Sequence, residues 1–251
     1  MSEYRKSLAL GGSDIRNMVA DFERWWFERQ LVEAGTLPEW MQRDPSPAAE
    51  FGTLVHRALL EPWKHVDDVV MPYVKSFALK EGKQTKAEAE TLAEYRGSIV
   101  IRHEHNWALD HIKRNFERMI IDNAMTPPCS DTVELEVFGN VDGISLKGKL
   151  DWLHTDALSC TLIDLKTISD WAKRVDVLFS ANYHCQLAHY ADLCIQKPND
   201  HAIVWIESVP PYRVELEQLS RSVIDLGLIA RNKAIKLYAD RKHPKPKGGP
   251  F

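Results

Sequence analysis

The chain has 251 residues, 44% of them hydrophobic and 27% charged, with a formal net charge of −4. Such a composition builds a soluble globular core and excludes the highly charged, weakly apolar class that stays disordered. No apolar run reaches the roughly 18 residues of a membrane helix, and a mildly acidic total gives no DNA-wrapping signature, although an enzyme on a polyanion needs positive charge only along its track.

The N-terminus MSEYRKSLAL lacks a secretory apolar region, so a cytoplasmic protein is expected. Helical periodicity then runs through DIRNMVADFERWWFERQLVEAG, with Ser13 and Asp14 placed to cap it and Gly35 to stop it. Trp25, Trp26 and Phe27 are adjacent and cannot all face one core, so one of them is expected at an interface or ligand. A proline-rich connection over 38–49 leads to a short helix, EFGTLVHRALLEP, which Pro62 ends. Residues 64 to about 86 read as irregular. A charged helical region follows, TKAEAETLAEYRGSIVIRHEHNWALDHIKRNFERMI, closed by Pro127 and Pro128. Its HEHNW run (His103, Glu104, His105) is not HExxH, and i, i+2 spacing splits the two histidines across a helix.

Three strand-like runs form the centre: TVELEVFG, ISLKGKLDWLHT and SCTLIDLKTI, joined by short turns at Gly143 and Asp156. A helix over roughly 180–196 leads to a further apolar strand, HAIVWIESV, and then to a C-terminal helix. This order predicts an α/β fold with a mixed central sheet flanked by helices. One domain is expected over 1–240, with a helical insertion at about 64–126 and a basic, disordered tail over 241–251. The four cysteines (Cys129, Cys160, Cys185, Cys194) have no CxxC spacing, which argues for reduced thiols rather than a zinc ribbon or an iron–sulfur cluster.

The chemistry concentrates in KGKLDWLHTDALSCTLIDLKT. Alternation puts Asp164 and Lys166 on one face of their strand, and Asp151 on one face with Lys149 and Lys147. If the strands are neighbours, Asp151 lies beside Asp164. Two carboxylates and a backbone carbonyl then make a hard oxygen site for Mg²⁺ or Mn²⁺, with Lys166 in reach of a water or a phosphate. Taken alone, an exposed Asp164–Lys166 salt bridge explains the pattern equally well. Gln186 and Tyr190 share a helix face downstream, and Glu134 and Glu136 share a face of the first strand. His56 is a lone imidazole in an apolar helix, where a satisfied core residue is the ordinary reading.

G-K-L-D-W, I-D-L-K-T and Q-L-A-H-Y, with GTLVHRALLEP and LGGSDIRNM before them, resemble the PD-(D/E)XK nuclease superfamily, in particular its RecB-like and exonuclease VIII (RecE-type) phage and prophage branch. The resemblance spans roughly residues 8–191; in the first segment Gly11 and Gly12 replace the usual small polar start, and 64–126 match no motif. It implies a restriction-endonuclease-like core in which Asp151, Asp164 and His56 ligate metal with the Leu165 carbonyl. Lys166 is then the catalytic lysine, Glu134 (rather than Glu136) the family glutamate, and Gln186 and Tyr190 support the site and contact DNA.

It further implies a Mg²⁺-dependent exodeoxyribonuclease, with Mn²⁺ substituting, that degrades the 5′-ended strand of linear duplex DNA and leaves 3′ overhangs for phage-type recombination. A ring of three or four copies and a single-strand annealing partner belong to the same expectation, as does a bacterial host cytoplasm. Lys147, Lys149, Lys173, Arg174 and the tail are the candidate DNA track. The alternatives are a RecB-like structure-specific or endonucleolytic repair enzyme, and a catalytically silent DNA-binding or assembly protein.

Overall fold

The computed structural model describes residues 7, 9–38, 41, 46–65, 69–70, 100–101, 103–156 and 159–242. The basic tail beyond 242 and the irregular stretch 71–99 therefore lie outside the described residues, as does the first part of the charged helical region. Helices are α1 (Gly12–Ala20), α2 (Phe22–Glu33), α3 (Pro47–Leu60), α4 (Pro62–His65), α5 (His103–Asp122), α6 (Arg174–Ser180), α7 (Tyr183–Leu193) and α8 (Arg221–Lys242). Strands are β1 (Val69–Val70), β2 (Val100–Ile101), β3 (Val133–Val141), β4 (Ile144–Thr155), β5 (Cys160–Ile168), β6 (Asp200–Glu207) and β7 (Val214–Gln218). Short β1 and β2 pair in parallel, so Val100 and Ile101 belong to a strand and not to the expected helix.

Strands β3 to β7 form one five-stranded sheet in sequential order, antiparallel throughout except for the parallel β5–β6 pair. Helices α6 and α7 make the crossover that a parallel pair requires. One sheet face is covered by α3 and α5, whose Leu54, Val55, Leu109 and Ile112 pack with Trp152, Ile163, Leu165 and Val204. Helix α5, from the carboxyl half of the unmatched 64–126 segment, is thus built into the main core. The other face is covered by α7 and α8, with Leu187, Ala188 and Ile224 on Leu162, Ile203 and Trp205. A third cluster joins α1 and α2 to the far end of β4 and to α8.

Several boundaries differ from expectation. The first helical stretch is broken at Asp21, whose extended backbone (φ −158°) ends α1 while its carboxylate accepts from Arg24 N to cap α2. Gly11 is the N-cap residue of α1, and Asp14 caps from the third helical position: its carboxylate reaches back to accept from Gly11 N at 2.8 Å and also takes the Trp25 indole N–H at 3.1 Å. Of the aromatic triplet, Trp25 and Trp26 both meet Tyr238, and Phe27 is left 57% exposed. The helix expected over roughly 180–196 is α7, shorter at both ends, and Asn182 in the left-handed conformation (φ 55°) separates it from α6, which was not expected. Strand β7 went unpredicted, although V-E-L-E-Q alternates; it is short, acidic, and follows two prolines.

Two glycines mark close approaches. A Cβ on Gly227 of α8 would stand 2.3 Å from the His184 carbonyl oxygen, so α8 lies directly on the backbone of α7. A Cβ on Gly12 would meet the Tyr190 ring and hydroxyl within 2.9 Å, which seats the start of α1 on α7.

Candidate active site

The β4–β5 ladder pairs Trp152–Thr155 with Ile163–Cys160 and stops there. Beyond it the strands part. Leu165 N–H, freed from the ladder, donates at 2.8 Å to Asp151 Oδ2, so a side chain takes the place of a backbone acceptor. Further along the same edge of β4, Leu10 forms a parallel bridge with Leu146: Leu10 N donates to Ser145 O and Lys147 N donates to Leu10 O. Asp151 therefore sits in a fork, with β5 closing one end and the N-terminal segment the other.

The opposite edge of β4 is distorted at the same point. Glu134 faces Asp151 in the β3–β4 register, yet its φ is +54°, a conformation that costs a glutamate about 1 kcal/mol or more. The kink reverses the alternation. Val133 and Trp152 pack into the α3–α5 cluster, while Leu135 and Leu150, two residues along, pack into the α7–α8 cluster. The reversal brings Glu134 to the fork and leaves Glu136, its expected face-mate, exposed beside Lys149.

Because the fork opens the sheet, helices from both faces reach it. From α3 comes His56, whose Nε2 lies 3.0 Å from Leu165 O. A carbonyl oxygen only accepts, so Nε2 carries the proton, and in the neutral ring Nδ1 keeps its lone pair 3.8 Å from Asp151 Oδ2. One ligand atom each from His56, Glu134 and Asp151 lie within 4.8 Å of one another. From α7 comes Tyr183, whose ring centroid is 4.8 Å from Lys166 Nζ and 5.1 Å from the Arg16 guanidinium carbon. His56, Glu134, Lys166 and Tyr183 line a cleft of about 370 Å³ with Arg16, Ala49, Gly52, Thr53, Leu165 and Thr167.

Asp164 is 1% exposed and paired with Lys166. Its Oδ1 is buried and receives no hydrogen bond, which is costly for a carboxylate and is the mark of a missing cationic partner. Burial pushes its carboxyl up to about 6; Lys166 opposes that and Asp151 adds to it. Burial acts the same way on Asp151, but His56, Lys166 and the Leu165 N–H outweigh it and hold that carboxyl below its usual value. Burial of the Lys166 ammonium is likewise outweighed, by Asp164 and Asp151, so its pKa is raised and the group stays charged at neutral pH. Asp164 and Asp151 thus favour the charged form of Lys166.

Two carboxylates and an imidazole within ligand distance, beside a buried carboxylate oxygen without a donor, fit a divalent cation of the hard, oxygen-seeking kind. His56, Glu134 and Asp151 form the cluster, while Asp164 is held by Lys166.

The remaining predicted residues are placed as follows. Gln186 Nε2 donates to Tyr190 Oη at 2.7 Å, and Gln186 Oε1 is 3.5 Å from Arg16 Nη1, so this pair reaches the cleft only through Arg16. Tyr190 itself is buried between Gly12 and Gly148 and does not line the cleft. Lys149 pairs with Glu134, and Lys147 Nζ donates to Ser7 O at 2.8 Å. Lys173 and Arg174 pair with Asp170 and Glu217, away from the cleft. Tyr183 and Arg16 were missed from sequence. The signal for Tyr183 was its position one turn before Gln186; Arg16 carried none. Arg16 is the more telling omission: its Nε is buried without a partner, and among the described residues no carboxylate pairs with it.

The model of the PD-(D/E)XK nuclease superfamily matches residues 24–222, and the chain belongs to that superfamily, whose nucleases use divalent metal ions. Among solved structures, it is similar to a Eubacterium rectale protein named as an exonuclease, at 12% identity over 97% of this chain and 90% of that one, with a TM-score of 0.58. A phage-related exonuclease from Haemophilus somnus 129PT (12% identity, 96% and 98% covered, TM-score 0.39) and an alkaline exonuclease from Laribacter hongkongensis (13%, 72% and 97%, 0.33) are more loosely alike. At these identities the likeness is one of fold. Among curated proteins no sequence matches. No helix among the described residues is long and apolar enough to cross a membrane.

Proposed function

We propose that the chain is a Mg²⁺-dependent exodeoxyribonuclease, with Mn²⁺ able to substitute, that degrades the 5′-ended strand of linear duplex DNA and leaves 3′ overhangs for recombination. The observation that carries this reading is the fork: His56 and Glu134, which cluster with Asp151, line a cleft together with Lys166, the partner of the buried Asp164. His56, Glu134 and Asp151 hold the ion, with Asp164 and the Leu165 carbonyl next to them. The bound ion supplies Lewis acidity at the phosphodiester and lowers the pKa of water. Lys166, kept charged by Asp164, stabilises the negative charge that grows on the phosphate oxygens. Arg16, which has no carboxylate partner among the described residues, binds a neighbouring phosphate of the same strand. The uncovered apolar side chains Leu226, Ile229 and Leu237 of α8 support self-association into the ring expected of this family branch.

Digestion of linear duplex labelled separately at its 5′ and 3′ ends, beside a covalently closed circle, with and without Mg²⁺, tests the reading. Early release of the 5′ label, intact circles and dependence on Mg²⁺ are expected. Cleaved circles turn the assignment to a RecB-like endonuclease, and DNA that is bound but never cut turns it to a silent DNA-binding protein.

A further inference from the structure

Beyond Thr167 the cleft continues into a second cavity of about 440 Å³, lined by Ala48, Phe51, His105, Tyr212, Ser169 and Ser208 among others. Thr167 lines both spaces, and Phe51 and Gly52 of α3 divide them, so the two share a wall. Their chemistry differs sharply. The first is charged, while the described residues around the second include no carboxylate, lysine or arginine: they bring three aromatic rings (Phe51, His105 and Tyr212), four hydroxyls counting that of Tyr212, and apolar groups. Among the described residues no lysine or arginine is offered to a phosphate there, whereas a flat heteroaromatic ring with polar edges would meet both aromatic surface and hydroxyls.

The walls are held in place at some cost. Tyr212 adopts φ +59°, a strained conformation for an aromatic residue, and Asn115 Nδ2 clamps its carbonyl at 2.6 Å. The Tyr212 ring is fixed by His111, stacked at 5.8 Å, and by Trp107 edge-on at 5.6 Å, with Trp107 itself half exposed at the surface. Phe51 and His105, which line the same cavity, pack on each other 5.0 Å apart, tilted by 54°. An uncharged aromatic slot next to a phosphodiester-cutting cleft is the arrangement by which proteins receive an unstacked base.

We infer that this cavity is a nucleobase pocket, which takes a base flanking the scissile phosphate out of the duplex stack. The inference rests on the nuclease reading above and adds a substrate-positioning site to it. Phe51, His105 and Tyr212 supply stacking surface, and Ser169 and Ser208 contact the base edge without selecting one base strongly.

The test compares wild type with Ala48→Phe, which plugs the pocket from an exposed rim, and His105→Ala, which removes one wall. Both act on duplexes that are intact or abasic at the terminal or penultimate nucleotide. Loss of one stacked base is expected to lower wild-type kcat/KM about 10- to 100-fold at one of the two abasic positions. Each variant should lose a similar factor on intact DNA and become indifferent to the abasic site, with thermal melting unchanged. With 2-aminopurine at that position and Ca²⁺ replacing Mg²⁺, wild type should alter the probe's fluorescence and Ala48→Phe should not. If wild type cuts abasic and intact ends equally well, the pocket assignment is overturned while the nuclease reading stands. Absence of cleavage on every substrate removes the nuclease reading, and this inference with it.

Discussion

Replacing Asp164 by asparagine should abolish cleavage and at the same time make the metal-free protein more stable. The folded protein resists ionisation of this carboxyl, moving it from 3.8 to about 6, and that difference corresponds to about 3 kcal/mol. The sign follows from proton binding. Below about pH 4 the group is protonated both folded and unfolded, and no penalty exists. Between about 4 and 6 the unfolded chain releases its proton first, so stability falls as pH rises, and above 6 the full penalty applies. Asparagine mimics the neutral acid in shape, although its buried amide is imperfectly bonded, so a net gain of about 2 kcal/mol at pH 8 is expected, or roughly 4–8 °C in Tm. Differential scanning fluorimetry in EDTA from pH 4 to 8 reads this as a Tm difference that opens with pH. Adding Mg²⁺ should then raise the wild-type Tm more than that of Asp164→Asn, because the ion relieves a carboxylate the variant lacks. A variant that melts below wild type at pH 8 in EDTA, or responds equally to Mg²⁺, would refute the claim that Asp164 is an ionised group waiting for a cation.

Lys166→Ala should reduce cleavage by about 100-fold or more while duplex binding, followed by anisotropy in Ca²⁺, stays within a few-fold. Arg16→Ala should weaken that binding and lower its log–log salt slope by about one, with Arg16→Lys restoring part of both; an unchanged slope removes Arg16 from the phosphate track. Glu134→Gly relieves the left-handed backbone and should add about 1 kcal/mol of stability in chemical denaturation, while Mg²⁺ affinity measured by calorimetry falls. In Gly227→Ala the new methyl must displace the α7 backbone 2.3 Å away, and an unfolding free energy from urea titration lowered by about 3 kcal/mol is expected.

The sheet was legible because its strands obey alternation. β4 falls on ISLKGKLDWLHT as expected, and each even-numbered residue from Ile144 to His154 is buried, although the face they cover switches between Leu150 and Trp152. The same logic failed where the backbone departs from regularity. Nothing in VELEV announces a positive φ at Glu134, so alternation set Glu134 and Glu136 on one face when only Glu134 turns to the fork. Periodicity likewise ran straight through Asp21, since the apolar pattern continues while the axis breaks. Asp151, Asp164 and Lys166 could be found because each lies on a strand whose neighbours are adjacent in sequence. Tyr183 and Arg16 arrive from two helices that meet only because the sheet splits, and one-dimensional spacing carries no record of that.

Leu10 has no chemistry of its own, yet its amide and carbonyl occupy the place on the β4 edge that a continuing β5 would hold. It works as a shim. The gap in which Asp151 and Asp164 face each other is gauged by a peptide group far away in sequence, before the first helix. A residue that brings no ligand, nucleophile or charge of its own can therefore set the spacing of the carboxylates here. Changes in that segment's backbone would retune the site without touching any residue within it.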